Sequence, residues 1–357
     1  MFFSKYIKNM KKKYLTPNIF LRFQIRNFKL PRFFLRDKKI TILPAFDAGF
    51  FSLFNNYVSH LVYAEPNEMI IPDWRLKNIQ LETKIEWMHG KIISFCYGNH
   101  KDGNVFYKLF ENPYPEIKTK NFYETNKMYH LANKILFATD YNEDKEPNLT
   151  ALNSYNLYVD EQYFPVFRKK YNDAVKKYIH LKPEIQNQID SFFDKNLKGY
   201  FVVSAFIRCK GHALELKEQT PDIELWDKHL KNVLESNKID INSNNWRFFI
   251  ATDNDNAIEY FTKKYPNNVV YQDMTRLTKE QEEEYESVKN SLGHNIHGYE
   301  LQHRKAADYS QYTLQNAIEV IFDVYIASRA NTLIYTNSNM STAASYLNPD
   351  LKMIYCK

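Results

Sequence analysis

Three polar segments stand directly after three apolar runs in the second half of this 357-residue chain. RCKGH (208–212) follows YFVVSAFI, TDNDN (252–256) follows RFFIA, and NSNMST (337–342) follows TLIYT. An arginine presents paired N–H donors to a diphosphate, and serine or threonine at a helix start adds hydroxyls and free backbone N–H groups. Acidic or amide side chains accept hydrogen bonds from a ribose or a base. These residue types together predict a nucleoside-diphosphate site.

The predicted site draws on all three segments. Its candidate donor-binding residues in this half are Arg208, Lys210, Asp253, Asn254, Ser338, Asn339, Ser341 and Thr342. A purely structural interpretation stands beside this one, in which Ser338 or Ser341 caps a helix, Asp253 caps another, and Arg208 forms a surface ion pair.

The apolar runs and the helical patterns between them predict how these segments are positioned. Strands are predicted at 200–207, 247–251, 268–271, 332–336 and 351–355, and helices at 223–234, 257–264, 280–291, 312–329 and 341–347. Strands that alternate with helices form a parallel sheet covered on both faces, and ligands bind beyond the carboxyl ends of such strands. We therefore expect the three polar segments to converge at one edge of a sheet.

The first half of the chain has a weaker pattern. Strands are predicted at 40–46, 69–72 and 91–96 and helices at 54–62 and 168–193, the latter interrupted at Pro183, whereas 99–115 is loop-like and 117–165 shows little period. The chain is therefore expected to be an α/β protein. We expect a basic arm at 1–39, an acceptor-side domain at 40–195 and a donor-binding domain at 196–357.

Glycine and cysteine usage narrows the chemistry. Only 8 of the 357 residues are glycine, no G-x-G-x-x-G follows a strand and no G-x-x-x-x-G-K-[ST] occurs, so the usual pyrophosphate turn and the P-loop are excluded. Cys96, Cys209 and Cys356 form no C-x-x-C pair and no disulfide framework, which indicates a reducing compartment. A phosphate site in this chain must use arginine, hydroxyls and helix N-termini.

Residues 1–39 hold most of the positive charge. They carry twelve Lys or Arg and one acid, Asp37, for a net charge of +11, which leaves −5 on the remainder of a chain whose total is +6. Their apolar residues form neither a signal-peptide core nor a membrane span. We expect a cytoplasmic protein whose arm binds an anionic membrane surface at the inner membrane face. The alternatives are a solvated or packed arm and a nucleic-acid binder, but no RNA or DNA module follows the arm, so no nucleic-acid partner is expected.

A resemblance to fucosyltransferase-like glycosyltransferases runs through residues 198–357. It is carried, in order, by FIRCKGH, IATDNDNAIEYFTKKYP and IASRANTLIYTNSNMSTAASYLNPDLKMI, and a weaker likeness covers 46–64 and 104–116. The group includes nodulation fucosyltransferases, α-1,6-fucosyltransferases and protein O-fucosyltransferases. The resemblance implies a GT-B-like fold, with two Rossmann-like domains and a cleft between them. It also implies a nucleoside-diphosphate-sugar donor, by default GDP-fucose, and no metal or other cofactor.

The resemblance assigns roles residue by residue. Arg208 matches the arginine that neutralises the donor diphosphate, and Asp253 matches the acid of the family T-D motif. The family writes H-x-R-x-x-D around this arginine, whereas this chain has Phe206 and Gly211, which leaves the sugar open. The family's phosphate-side serine cluster is matched by Ser338, Asn339, Ser341 and Thr342. Its first-domain loop, which faces the donor, is matched by Gly49, Phe50, Phe51 and Ser52.

Sugar transfer with inversion needs a base for the acceptor hydroxyl and a stabilised leaving diphosphate. Arg208, Lys210 and the helix start at 338–342 are expected to stabilise the diphosphate. Glu215 or His212 is the candidate base. Glu218 competes for that role, and Glu215 also has a structural interpretation as a solvated acid at a helix start. From the membrane setting we expect the acceptor to be a glycan or a lipid-linked glycan.

Three other interpretations of the sequence stand beside the metal-independent glycosyltransferase. The altered H-x-R-x-x-D pattern favours a non-catalytic protein that binds a nucleotide or a glycan. Asp253-x-Asp255 after an apolar strand resembles the D-x-D that binds Mn²⁺ and a sugar nucleotide in metal-dependent glycosyltransferases, which normally place it nearer the N-terminus. His294, His297 and His303 lack an obvious fourth zinc ligand.

Overall fold

The fold is taken from a computed structural model. It describes residues 39–44, 49–74, 79–80, 92–93, 97, 103–114, 134–137, 164–207, 221–253, 255–274, 276, 314–336 and 338–356. Residues 1–38 of the predicted arm and the predicted helix at 280–291 lie outside the described residues. Within them, no helix is both long enough and apolar enough to cross a membrane.

Strands and helices alternate through most of the described chain. The first half contains β1 (Lys39–Pro44), α1 (Phe50–Val62), β2 (Glu68–Asp73), β3 (Ile79–Gln80), β4 (Ile92–Ile93), α2 (Phe106–Leu109), β5 (Lys134–Phe137), α3 (Phe164–Tyr178) and α4 (Pro183–Asn196). The second half contains β6 (Phe201–Ile207), α5 (Ile223–Ser236), β7 (Trp246–Thr252), α6 (Asp255–Lys264), β8 (Val269–Val270), α7 (Leu314–Ala327), β9 (Thr332–Tyr335), α8 (Asn339–Leu347) and β10 (Lys352–Tyr355). In the second half, the observed boundaries differ from the predicted ones by at most two residues.

The second half is built on a five-stranded sheet with the order β10-β9-β6-β7-β8. Every pairing in it is parallel. The chain passes from β6 to β7 and β8 on one side and later returns to β9 and β10 on the other side of β6. The predicted α/β class with a parallel sheet is therefore confirmed.

Both faces of this sheet are covered, as its apolar strands require. Alternate residues of β6 point to opposite faces, so that Val203 and Ala205 belong to one apolar cluster and Val202 and Phe206 to another. The first cluster includes α5 and α6, and the second includes α4, α7 and α8. Strands buried on both faces show continuous apolar runs, which is why the sequence pattern located them well.

The first half has a smaller parallel sheet in which β1 lies between β2 and β5. The prediction missed β5, because it has four residues within a long polar stretch. It also assigned 99–115 to a loop, whereas Phe106–Leu109 forms the short helix α2 with Phe106 fully buried. The predicted helix at 168–193 is two helices, because Pro183 begins α4 after a break at 179–182.

One apolar cluster crosses the predicted domain boundary at 195 and 196. It joins Phe54 and Val58 of α1 to Tyr171 of α3, and continues to Ile321 of α7 and Ala344 of α8. The predicted division into two domains therefore stays a prediction.

A single buried carboxylate ties α5 to α6. Asp227 accepts hydrogen bonds from Lys264 Nζ at 2.8 Å and from the Tyr265 hydroxyl at 2.6 Å, and Lys231 Nζ lies 2.8 Å from it. Burial raises the pKa of Asp227, but the hydrogen bonds from Lys231, Lys264 and Tyr265 outweigh burial and hold that pKa below its ordinary value. The ionised form therefore stabilises the fold at neutral pH.

Replacing Asp227 with Asn is expected to lower the free energy of unfolding by about 1–3 kcal/mol, because it removes a charge-assisted network from a mostly buried position. Urea denaturation at pH 7 measures this loss. Asp194→Asn is the matched control, since Asp194 pairs with Lys198 at 3.1 Å on an exposed helix face and such pairs contribute about 0–1 kcal/mol. Equal losses in the two variants would contradict the role assigned to Asp227.

Candidate functional site

The polar segments of the second half follow neighbouring strands of the sheet. Ile207 of β6 lies opposite Thr252 of β7, and Ala205 of β6 lies opposite Ile334 of β9. Because the strands are parallel, their carboxyl ends reach the same edge, where α6 and α8 begin. The prediction that these strand ends converge is confirmed.

The point where the strand order reverses lies between β6 and β9. In open α/β sheets, ligands bind in the crevice beyond the carboxyl ends of the strands at such a switch point. The chain continues from β6 into Arg208, and from β9 towards Ser338 at the start of α8. The strands that precede two of the three predicted site segments therefore flank the switch point.

Several predicted site residues lie outside the described part of the chain, namely Arg208, Lys210, His212, Glu215, Glu218, Asn254, His294, His297 and His303. Asp253 is described and lies, partly exposed, between the end of β7 and the first residue of α6, Asp255.

The start of α8 is a well-formed helix cap. Ser338 has an extended backbone, and its Oγ accepts a hydrogen bond from the backbone N–H of Ser341 at 3.1 Å. The Ser341 hydroxyl donates to the carbonyl of Thr336 at 2.9 Å, and the Thr342 hydroxyl donates to the carbonyl of Ser338 at 3.2 Å. The structural interpretation of Ser338 as an N-cap is therefore correct, and these hydroxyls hold the helix start in place.

This geometry changes the roles predicted for the serine cluster. The Ser341 side chain is 0% exposed and Thr342 is also buried, so in this conformation neither hydroxyl reaches a ligand. Asn339 and Met340 are only partly buried, and the first N–H groups of a helix have no partners within the helix. The part of this segment that can receive an anion is the backbone at 339–340, supported by the helix dipole.

The first-domain segment differs from the predicted loop. Gly49 is the N-cap of α1, and Phe50, Phe51 and Ser52 form its first turn. Phe50 and Phe51 are 1% and 3% exposed, and the Phe50 ring packs edge-on against Trp74 at 5.4 Å between centroids. An aromatic core therefore holds these two side chains, and the expected role of residues 49–52 in donor binding stays a prediction. Gly49 is exposed and Ser52 is partly buried.

A hydrogen-bonded pair joins this helix to α8. Asn55 Nδ2 donates to the backbone carbonyl of Asn339 at 3.0 Å and to its side-chain Oδ1 at 3.0 Å, across 284 positions of sequence. Asn55 is 0% exposed. The sequence analysis missed it, although an Asn-Asn pair in the middle of the apolar helix FFSLFNNYVSHLV signals a buried polar contact.

A pair of carboxyl groups is buried on α7 beside the end of β8. Gln272 Nε2 donates to Asp323 Oδ1 at 2.7 Å and to the carbonyl of Glu319 at 2.8 Å, and Arg276 donates to the carbonyl of Gln272. Burial is the main reason that the pKa of Asp323 is raised to about 8. The Gln272 hydrogen bond and the Arg276 charge oppose this rise, and Glu319 adds to it. Burial also raises the pKa of Glu319.

This pair was also missed by the sequence analysis. The available signal was two acids four positions apart in the otherwise apolar helix LQNAIEVIFDVYIA, which places both on one face. Buried carboxyl groups with raised pKa values are candidates for functional groups. With a pKa near 8, the Asp323 carboxyl is mostly protonated at pH 7.

The described residues offer no evident metal site. No three of their His, Cys, Asp or Glu side chains are grouped so that they could hold a metal ion. In the D-x-D pattern, Asp255 begins α6 and Asp253 precedes it.

Comparison with solved structures found fucosyltransferases. NodZ α-1,6-fucosyltransferase soaked with GDP-fucose is 13% identical, covers 87% of this chain and 93% of that chain, and gives a TM-score of 0.46. Fucosyltransferase NodZ from Bradyrhizobium is 13% identical, with coverages of 87% and 94% and a TM-score of 0.45. POFUT1 in complex with GDP is 10% identical, with coverages of 90% and 99% and a TM-score of 0.46.

These structures come from the same group of proteins that the sequence resembles. No protein-family model matches the chain, and no curated protein matches it.

The buried acid pair predicts a dependence of stability on pH. Because the pKa of Asp323 is about 8 in the folded chain and about 4 in the unfolded chain, the folded state binds more protons between these values. The contribution of Asp323 to the free energy of unfolding is fully present below about pH 4 and is lost as the pH rises towards 8. This contribution falls by up to about 1.4 kcal/mol per pH unit. Asp323→Asn is expected to remove this part of the slope.

Urea denaturation of the wild type and of Asp323→Asn at pH 5, 6, 7 and 8 tests this expectation. Glu235→Gln on the exposed face of α5 is the control, and it is expected to follow the wild type across the range. A stability difference between wild type and Asp323→Asn that stays constant with pH would contradict the raised pKa.

Proposed function

We propose that this chain is a glycosyltransferase that binds a nucleoside-diphosphate sugar at the carboxyl edge of its five-stranded sheet. The observation that carries the proposal is the position of the switch point between β6 and β9. The chain leaves β6 into an arginine segment and leaves β9 into a capped helix start. An arginine and a helix N-terminus at one switch point suit a diphosphate in a chain without glycine-rich phosphate loops.

The proposed division of work at the donor follows from these groups. Arg208 binds the diphosphate through its paired donors, Lys210 adds positive charge, and the backbone at 339–340 donates to phosphate oxygens. Asp253, at the end of β7, and Asn254 accept hydrogen bonds from the nucleoside. The sequence resemblance makes GDP-fucose the default donor, and binding through these groups requires no metal ion.

The proposed reaction is transfer with inversion. A base removes the proton of the acceptor hydroxyl, the acceptor oxygen forms a bond to the anomeric carbon, and the bond from that carbon to the diphosphate oxygen breaks. Arg208 and the α8 start stabilise the negative charge that the leaving diphosphate gains. Glu215 or His212 supplies the base, since both follow β6 closely in sequence.

The acceptor and the cellular setting are further parts of the proposal. The acceptor is a glycan or a lipid-linked glycan, bound by the half at 40–195, with the donor bound by the half at 196–357. The basic residues of 1–39 hold the protein at the anionic inner face of the membrane, from the cytoplasm.

A second candidate function is nucleotide binding without transfer. The family histidine is replaced by Phe206, whose side chain is 3% exposed and belongs to the apolar cluster beneath the site. No donor contact can come from that side chain in this conformation. A protein that binds GDP and its sugars but does not turn them over would have this second function.

Thermal unfolding with GDP, UDP, CDP, ADP and their sugars tests the donor, because a ligand of the folded state raises the melting temperature. We expect a rise with GDP and GDP-fucose that EDTA does not change. A rise that needs both UDP and Mn²⁺ would favour the D-x-D alternative. Release of GDP from GDP-fucose in the presence of acceptor glycans then separates transfer from binding alone.

Replacing Arg208 with Ala is expected to lower turnover by about 100-fold or more, because it removes a charged donor from the leaving diphosphate. Arg247→Ala is the matched control: Arg247 lies near the opposite end of β7, with its guanidinium 3.5 Å from the centre of the Tyr200 ring. The control is expected to retain turnover. An Arg208→Ala protein that is folded and as active as the control would remove the arginine from the proposed mechanism.

A further inference from the structure

Helix α8 is held at both ends by side chains from the first half of the chain. At its start, Asn55 of α1 donates to the backbone carbonyl and to the side chain of Asn339. At its end, Asn172 of α3 donates to the carbonyls of Tyr346 and Leu347 at 2.6 and 3.1 Å. The end carbonyls of a helix otherwise have no partner within the helix.

Arg168 strengthens the hold at the carboxyl end. Its Nη2 donates to the carbonyl of Asn348 at 3.1 Å and to that of Leu351 at 2.7 Å. A positive charge at this end of a helix is favourable, because it complements the helix dipole. Arg168 is itself buried, so these bonds form away from water and keep the carboxyl end of α8 against α3.

The two holding helices are also joined to each other. The Ser59 hydroxyl of α1 lies 3.2 Å from the Tyr171 hydroxyl of α3, and the Tyr171 ring stacks on that of Tyr346 at 4.4 Å between centroids. Between its ends, α8 buries small side chains such as Ala343 and Ala344. The hydrogen bonds at the two ends therefore act together with the Tyr171–Tyr346 stack to hold α8 against α1 and α3.

Asn55 binds the start of α8 through its amide N–H₂ group alone. Both bonds to Asn339 use Nδ2 as donor, and among the described residues the Asn55 Oδ1 has no hydrogen-bond partner. A buried acceptor without a partner costs free energy. The residue that Nδ2 contacts, Asn339, is the first of the two residues whose backbone is proposed to bind the anion.

We propose that Asn55 is a positioning residue for the donor diphosphate, because it holds the start of α8 where the phosphate oxygens bind. The inference rests on the proposed function and adds a residue of the first half to the donor site. Asn55 does not touch the donor; it acts through Asn339. Loss of Asn55 weakens recognition of the diphosphate and leaves recognition of the nucleoside unchanged.

The test compares the dissociation constants of GDP and guanosine, measured by calorimetric titration, for the wild type and for Asn55→Leu. We expect GDP to bind about tenfold more weakly to the variant, as suits the loss of two hydrogen bonds, and guanosine to bind within about twofold of the wild type. A purely structural effect would weaken both ligands together. Asn56→Leu is the matched control, since Asn56 is the next buried residue of the same helix, and it is expected to keep the wild-type GDP affinity.

Asn55→Ser is the second variant, in case the apolar replacement prevents folding. Serine is too short to reach Asn339 but admits water, and it is expected to weaken GDP selectively. Equal GDP affinity in wild type and a folded Asn55 variant, or parallel loss of GDP and guanosine, would overturn the inference and leave the proposed function standing. A folded wild type that binds no nucleoside diphosphate would remove the proposed function, and the inference with it.

Discussion

Strand β6 is hydrogen-bonded along both of its edges, and this pairing fixes where the described parts of the candidate site lie. It pairs with β7 from Phe201 to Ile207 and with β9 from Val203 to Ala205. Its side chains from 202 to 207 are buried on both faces of the sheet, and its one central polar side chain, Ser204, donates to the carbonyl of Ala327 at 3.3 Å. Because these pairings are parallel, the carboxyl ends of the three strands meet at one edge, and the hydrogen bonds between the strands keep them together.

The parts of the fold that follow from this constraint were predictable from the sequence. Continuous apolar runs identified β6, β7 and β9, and the carboxyl ends of these strands were correctly expected at one edge. Ser338 was predicted as a phosphate ligand or a helix cap, and the structure supports the cap. Local sequence could specify this result, since the Ser338 contact with Ser341 spans only three positions.

The parts that were not predictable depend on contacts between distant residues. Nothing local distinguishes Phe50 at the start of α1 from a ring that faces a ligand, because its burial depends on Trp74 and Phe110. The bond from Asn55 to Asn339 spans 284 positions. Burial raises the pKa of Asp323, and its hydrogen-bond partner Gln272 lies 51 positions away in the sequence, which no periodicity in α7 reveals. In each case the residue type was visible and its partner was not.

The apolar cluster that crosses positions 195 and 196 limits how the two halves of this chain could be exchanged with those of related proteins. A chimera that grafted another donor half onto this chain at that boundary would separate α8 from Arg168 and Asn172, its partners on α3. The helix of the new half would then pack against α3 without the carbonyls that Arg168 and Asn172 bind, and the buried Arg168 guanidinium would lose its acceptors. Recombination that preserves the donor half would therefore have to carry α1 and α3 with it. The inheritable unit is therefore larger than the five-stranded sheet.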